Sequence, residues 1–444
     1  MSDSQSRRDF LRATALTGFG VWVGNEAQGQ AKPKSANDQL NFACIGVGGK
    51  GDSDSTDAGR FGNVVAICDV DENTLNKKGM EFPKAKRYRD YRKMYDEMGK
   101  QIDGVTVSTP DHSHGPATAI ALHLGKAAYT QKPLAHSIFE CRSLGNLARK
   151  MKVATQMGNQ GTADNTLRQN AYKIRAGALG EVKEVHVWTN RPIWPQGIDQ
   201  PAEKPVPANL DWDLWIGPAK MRPYGDGYHT FAWRGFWDFG TGALGDMACH
   251  TVNMPYMALD LRNPISVVAT SSGTNHYSYP KSAKMTFEFA PTKERPAVTL
   301  TWYEGGELPP KELIPADLLP ENGKVPSSGS LVIGTKGVLY TPGDSGAGGH
   351  IVGGVDVGDV AYPKSPGHWE EFVAAMRGGQ PAMSNFPDYA SELAETILLG
   401  NLAVWAEGEK ILWDAKNMKV KNGGDVAAKV EHIIRPVYRS GYHL

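Results

Sequence analysis

A lysine that follows a strand, and a carboxylate and an imidazole four residues apart, are the groups in this chain best suited to moving a proton. Lys132 stands in Thr130-Gln131-Lys132-Pro133-Leu134, directly behind an apolar stretch. An ammonium in such a place can hydrogen-bond a substrate hydroxyl and lower its pKa; a lysine that only meets solvent is the plain alternative. Asp246 and His250 stand in Gly242-Ala243-Leu244-Gly245-Asp246-Met247-Ala248-Cys249-His250. Their i, i+4 spacing puts both on one helix face. Three uses stay open for the pair: a base oriented by its carboxylate, a structural hydrogen bond, or half of a metal site. No H-E-x-x-H and no further clustered carboxylates accompany it, so no metal is expected. Six of the eleven tryptophans fall between Trp188 and Trp237, and four of them flank Tyr228, His229 and Arg234. Aromatic faces beside polar donors suit a hydroxylated ring, which makes Tyr228, His229, Trp233 and Arg234 candidate substrate contacts. The same cluster can equally be packing.

Something must position these groups, and the first half of the chain supplies a pattern for it. Residues 40–47 form an apolar run that ends in Gly46-Val47-Gly48-Gly49-Lys50-Gly51. A strand followed by G-x-G-x-x-G lets the chain turn tightly, brings backbone close to a pyrophosphate and packs the next helix against the strand. Amides at that helix start, including Gly49 and Lys50, face the phosphates. The next apolar run, 64–68, ends in Asp69, 23 residues after Gly46. A carboxylate at that distance reads a ribose hydroxyl and repels a 2′-phosphate, so NAD is favoured over NADP. Strands at 104–108, 127–130 and 153–157 alternate with helices at 114–125 and 138–151, the latter opened by a Ser137–Glu140 capping box. Such alternation predicts a parallel, doubly wound sheet with its ligands beyond the carboxyl ends of the strands. The loops there bring Thr109, Pro110, His114, Lys132 and Asn159 to the cofactor and Gln160 to the substrate.

Beyond residue 160 the pattern changes. Segments 182–188, 284–289, 298–303, 330–333 and 338–340 alternate with period two and are rich in aromatic and β-branched residues. They predict a large, mostly antiparallel open sheet with one covered face. Seven prolines between Arg191 and Gly225, and seven glycines from Gly343 to Gly358, read as loops. Helices are expected at 165–176, 368–376 and 388–405. The division is thus a dinucleotide-binding domain over 38–160 and an α+β domain over 161–444. Residues 1–31 read differently: Ser6-Arg7-Arg8-Asp9-Phe10-Leu11-Arg12, then a mildly apolar stretch, then small residues near Ala31. This is a signal-peptide layout of the twin-arginine type and predicts export to the periplasm or beyond.

Composition excludes other classes. Lys+Arg and Asp+Glu are equal at 48 each, so no net field invites nucleic acid. No apolar run has the length of a spanning helix, so no membrane insertion is expected. Cys44, Cys68, Cys141 and Cys249 show no CxxC spacing. Cys44 and Cys68 fall in neighbouring expected strands; buried thiols are the favoured reading, although export permits a disulfide.

Taken together, Gly46/Gly48/Gly51, Thr109-Pro110 with His114, Lys132-Pro133 and Asp246-x-x-x-His250 resemble the glucose–fructose oxidoreductase/inositol dehydrogenase/MocA family, from about residue 40 to the end. The family commonly carries Glu-Lys-Pro where this chain has Gln131-Lys132-Pro133. The resemblance implies a Rossmann domain, an α+β domain whose sheet often forms a homo-oligomer interface, and bound NAD. It also implies Lys132, Asp246 and His250 as the catalytic group, with His250 transferring the proton and the other two orienting a hydroxyl. An exported enzyme meets no free NAD pool, so its cofactor must be recycled in place or serve an outside acceptor. The first design is similar to the NAD-dependent glycosidases of glycoside hydrolase family 109, in which a sugar is oxidised at C3, its aglycone eliminated and the hydride returned. The second is a sugar, glycoside or inositol-like polyol dehydrogenase with an external acceptor. A third is a non-catalytic carbohydrate-binding protein that kept the fold.

Overall fold

The computed structural model describes residues 38–444. The twin-arginine-like segment and its cleavage near Ala31 lie outside the described residues. Six strands build the first sheet: β1 (Leu40–Ile45), β2 (Gly62–Cys68), β3 (Lys86–Tyr88), β4 (Gly104–Val107), β5 (Ala127–Thr130) and β6 (Thr155–Met157), in the order β3-β2-β1-β4-β5-β6. All pair in parallel. Parallel neighbours need crossovers, and helices Lys50–Phe61, Glu72–Glu81, Asp111–His123 and Ile138–Met151 are among those that supply them. The last is opened by the expected capping box, with Ser137 and Glu140 each accepting the other's backbone amide. The strand order reverses between β1 and β4, which opens a crevice at their carboxyl ends.

β1 and β2 also decide the cysteine question. Cys44 pairs with Ile67 and Cys68 with Ile45, one register step apart. Neighbouring positions in a strand point to opposite faces, so the two thiols lie on opposite sides of the sheet. All four cysteines are buried and free.

The second sheet has nine strands: β7 (Val182–Trp188), β8 (Ser266–Ser271), β9 (Ala283–Phe289), β10 (Val298–Glu304), β11 (Gly329–Gly334), β12 (Gly337–Pro342), β13 (His350–Gly353), β14 (Ile411–Asp414) and β15 (Lys419–Val420), in the order β13-β12-β11-β7-β10-β9-β8-β14-β15. Only the central β7–β10 pair is parallel. Along β9 the residues Ala283, Met285, Phe287 and Phe289 are buried while those between them are more exposed. Helix Ser391–Trp405 covers that face. Its Gly400 lets the backbone approach closely, since a Cβ there would meet Leu244 Cδ2 at 2.5 Å and Met285 Sδ at 2.7 Å. Each large apolar side chain sealed in this layer contributes roughly 1.5–3 kcal/mol.

Three features depart from expectation. The glycine-rich segment is not all loop, because Ile351 and Val352 pair with β12 and make β13 its edge strand. Helix 388–405 begins instead as a wide turn, Phe386–Ala390, and becomes a regular helix only at Ser391. Residues 161–444 also do not stay on their own side. Helix His368–Met376 returns to the first sheet, where Trp369 stacks on Tyr129 of β5 with ring centroids 4.6 Å apart. No helix among the described residues is long and apolar enough to cross a membrane.

Candidate active site

The glycine loop is shaped by what side chains would do there. A Cβ on Gly46 (φ 74°) would stand 2.7 Å from Ser108 O, and one on Gly51 would stand 1.8 Å from Gly46 O. Gly49 (φ 53°) faces open space and begins helix Lys50–Phe61 with no side-chain cap. A helix start left uncapped, beside backbone that tolerates no side chain, suits a diphosphate. Asp69 closes the far edge: its carboxylate accepts from the amides of Val47 and Asp71, each at 2.9 Å. Burial raises its pKa. Thr109 and Pro110 border the loop, because the Thr109 amide lies 2.9 Å from the Cβ that Gly46 lacks. The donor set and the cradle therefore fit NAD, which the loop amides would hold with Asp69 at its ribose.

Next to this loop lies a cavity of about 470 Å³, lined by Lys132, Gln160, Arg191, Trp194, Phe231, Arg234, Asp246, His250, Asp344 and Ser345 among others. Lys132 follows β5, in a cis peptide with Pro133. Its Nζ donates to Asp246 Oδ1 at 2.7 Å and to the Asp246 carbonyl at 2.9 Å. Asp246 and His250 sit on helix Gly242–Thr251, as their spacing requires. Arg234 Nε donates to the same Asp246 oxygen at 3.3 Å. Burial alone would raise the Asp246 carboxyl, but Lys132 and Arg234 overcome it and hold it below the usual carboxylate range. For His250 burial and the Lys132 charge act together and push the imidazole down to about 3. It is therefore neutral near pH 7, an unprotonated nitrogen beside a lysine that donates. Burial raises the Asp111 carboxyl, whose Oδ2 accepts from Thr241 Oγ1 at 2.7 Å and so anchors the start of the helix.

Of the expected substrate contacts, the structure brings Lys132, Gln160, Arg234, Asp246 and His250 into one cavity. It moves the others. Tyr228 is fully buried in an aromatic cluster with Trp212 and Phe239, so it fills a core and cannot present its ring to a ligand. Trp233 joins that cluster. It reaches the site only through the Arg234 guanidinium, 4.3 Å from its ring. His229 lies at the other end of the crevice, where its Nε2 meets Asp71 at 3.0 Å, two residues from Asp69. Two expected cofactor contacts are brackets instead. Both His114 nitrogens meet backbone carbonyls at 2.8 Å, those of Pro133 and Thr109, and so tie two site loops together. Asn159 is fully buried, accepts from Ser384 Oγ and points its amide at the Cys249 carbonyl of helix Gly242–Thr251.

The sequence reading missed Arg191, Trp194, Phe231, Asp344 and Ser345. Arg191 Nη1 reaches Asp344 Oδ2 at 3.3 Å on the glycine-rich segment. That segment is pressed on helix Gly242–Thr251, since a Cβ on Gly346 would stand 2.3 Å from His250 O. The glycine run itself was the available signal, because glycines are required where backbone meets backbone.

Two family profiles match: an oxidoreductase NAD-binding Rossmann fold over residues 40–159, and the C-terminal alpha/beta domain of the same oxidoreductase family over residues 179–291. The chain belongs to the Gfo/Idh/MocA oxidoreductase family. Its first sheet is accordingly an NAD-binding domain. The chain is similar to a D-apiose dehydrogenase of Paraburkholderia graminis, 27% identical over 117 residues, covering 26% of this chain and 31% of the relative. It is similar to a glycosyl hydrolase family 109 protein of Shewanella pealeana, 26% identical over 205 residues, covering 40% of this chain and 44% of the relative. These matches thus span less than half of those relatives. Among solved structures, the WlbA dehydrogenase of Bordetella pertussis, in complex with NADH and UDP-GlcNAcA, has a TM-score of 0.59 at 15% identity, covering 85% of this chain and 99% of that one. It supports the fold.

Proposed function

We propose that this family member oxidises a ring hydroxyl of a sugar or glycoside with tightly held NAD. One observation carries the reading: Lys132, bound to Asp246, and the neutral His250 of the same helix as Asp246 share a single cavity beside the glycine loop. NAD, when bound, supplies a hydride acceptor. The Lys132 ammonium, fixed by Asp246, orients the hydroxyl and stabilises the developing alkoxide. The neutral His250 imidazole takes the hydroxyl proton. Trp194 and Phe231 offer flat faces to the ring, and Arg191 with Asp344 meets hydroxyls remote from the reacting carbon.

The favoured outcome is redox-neutral cleavage. A C3 ketone would acidify the C2 proton. A base, with His250 free again once its first proton has passed to solvent, would remove that proton as the C1 aglycone leaves and is protonated. Water would add across the resulting double bond, and the hydride that bound NAD had accepted would return. The glycosyl hydrolase family 109 match favours it, as it covers more of this chain than the D-apiose dehydrogenase match. That dehydrogenase match favours a second outcome, in which an outside acceptor takes the electrons. We take the protein to be exported through residues 1–31 and to form a homo-oligomer through the open sheet. Purified protein given a panel of glycosides separates the readings. Aglycone release without net reduction supports cleavage; an NADH-like absorbance that persists until an acceptor is added supports the dehydrogenase. A chain with no bound nucleotide and no turnover would be a binding protein. Export is tested by Arg7→Lys with Arg8→Lys, which should retain the chain in the cytoplasm.

A further inference from the structure

The carboxylate that the family resemblance places before Lys132 is absent from position 131, but a carboxylate reaches the same spot from another element. Gln131 Nε2 donates to Asp54 Oδ2 at 2.8 Å, and Ser108 Oγ donates to that oxygen at 2.7 Å. Lys50 Nζ donates to Asp54 Oδ1 at 2.6 Å. Asp54 is fully buried, on the first turns of the helix that begins at the glycine loop. Burial raises its carboxyl, and three donors, one of them the Lys50 ammonium, oppose that by converging on it as they would on an acceptor-only carboxylate. The Gln131 amide packs directly on Gly158, where a Cβ would stand 2.5 Å from its nitrogen. Lys50 reaches on to Gln160 of the cavity wall at 3.3 Å once the Gln160 amide is turned to donate to Gly158 O.

We propose that Asp54 is a positioning residue of the cofactor site. It takes over the charge of the missing glutamate, balances the Lys50 ammonium, and so sets the preference of the crevice for oxidised over reduced nicotinamide. NAD+ and NADH carry the same diphosphate and differ by one positive charge on the ring. An unbalanced ammonium that reaches the cavity wall at Gln160 would therefore disfavour NAD+ relative to NADH. Of the other charges facing this space, Lys132 and Arg234 share the one Asp246 carboxylate, and Arg191 meets Asp344. Asp54 is the partner left for Lys50, whose charge is felt as far as His250. The proposal rests on NAD occupying the glycine loop, and not on which sugar reaction follows.

The test is titration of the nucleotide-stripped full chain with NAD+ and with NADH, followed by calorimetry or protein fluorescence. Asp54→Asn should raise the ratio of the NAD+ to the NADH dissociation constant at least about fivefold. Lys50→Met, at a half-exposed position, should lower the ratio by a similar factor and remains available should Asp54→Asn fail to fold. Gln131→Glu added to Asp54→Asn should return the ratio to within about twofold of wild type. A merely structural Asp54 would weaken both nucleotides equally. An unmoved ratio in Asp54→Asn or in Lys50→Met overturns the proposal alone. Failure of the wild type to bind either nucleotide overturns the cofactor assignment and the proposal with it.

Discussion

The glycine loop and the cavity wall face each other across one crevice but are assembled by different means. The loop is one contiguous hexapeptide, Gly46 to Gly51, whose backbone is the ligand-binding surface. The wall draws Lys132, Arg191, Arg234, Asp246, His250 and Asp344 from five places spread over more than 200 residues. The first binds by geometry that only glycine permits. The second works through side-chain charge, in pairs such as Lys132–Asp246 and Arg191–Asp344. The difference teaches that retention of the cofactor and turnover should be separable by mutation.

Lys132→Ala is the strongest attempt to break that separation. Removing the ammonium leaves the buried Asp246 carboxylate with Arg234 alone and takes the donor from the substrate hydroxyl. Turnover should fall about 10³-fold while the nucleotide stays bound. Activity is followed by product formation and occupancy by extracting the nucleotide from denatured protein. Loss of both together would show that the wall and the loop are one unit.

Acid offers a test of whether the two sides fail together. His112 lies at the domain junction, His250 in the cavity and His368 beneath the first sheet; burial pushes each down to about 3, aided by Lys132 at His250. Below pH ~6.5 the unfolded chain takes protons on these rings that the native chain refuses. Their contribution is thus complete above pH ~6.5 and is lost as pH falls toward the folded values. Together they should cost about 3 kcal/mol between pH 6.5 and 5.5. Urea midpoints measured across that range check it, and a single transition that moves as one would show that acid undermines both sides at once.

Legibility followed the same divide. The parallel sheet, its strand ends, the capping box and the Asp246–His250 helix could be read because each is encoded within one short stretch. The aromatic cluster misled: Trp212, Trp215 and Tyr228 have the composition of a sugar platform, yet they stack on one another as a core. Composition reports that rings are present; only tertiary packing decides whether a face is left open. His114 and Asn159 misled for a related reason. Their loops do converge on the site, but their side chains are consumed by carbonyls and a serine behind it. Arg191 and Asp344 stand 153 residues apart, and no local pattern connects them.

Asp69→Ala sharpens the comparison from the cofactor side. The carboxylate holds the Val47 amide and so shapes the loop, and it would also meet a bound ribose. Its loss should weaken NAD binding about tenfold and lessen the discrimination against NADP, with kcat at saturating NAD nearly unchanged. Equilibrium titration with both nucleotides reads the first effect, and a tenfold fall in kcat instead would place Asp69 in the chemistry.

The smallest effect should come from the opposite wall. Asp344→Asn keeps an acceptor and the shape of the side chain but removes the charge that meets Arg191. Arg191 is mostly buried, at 20% side-chain exposure, so an unpaired guanidinium there is partly desolvated and draws on whatever acceptor the cavity offers. A neutral substrate loses the carboxylate as an acceptor for its hydroxyl, and its binding should weaken about fivefold. The reacting carbon is positioned from Lys132 and His250, so kcat should be unchanged and the whole effect should appear in KM. A substrate bearing a carboxylate would reverse the sign, because it could pair with the freed Arg191. Comparing KM for a neutral glycoside and its uronic-acid counterpart in this variant therefore reads the polarity of the ligand as well as the role of the pair, and equal losses for both would remove Arg191–Asp344 from the specificity wall.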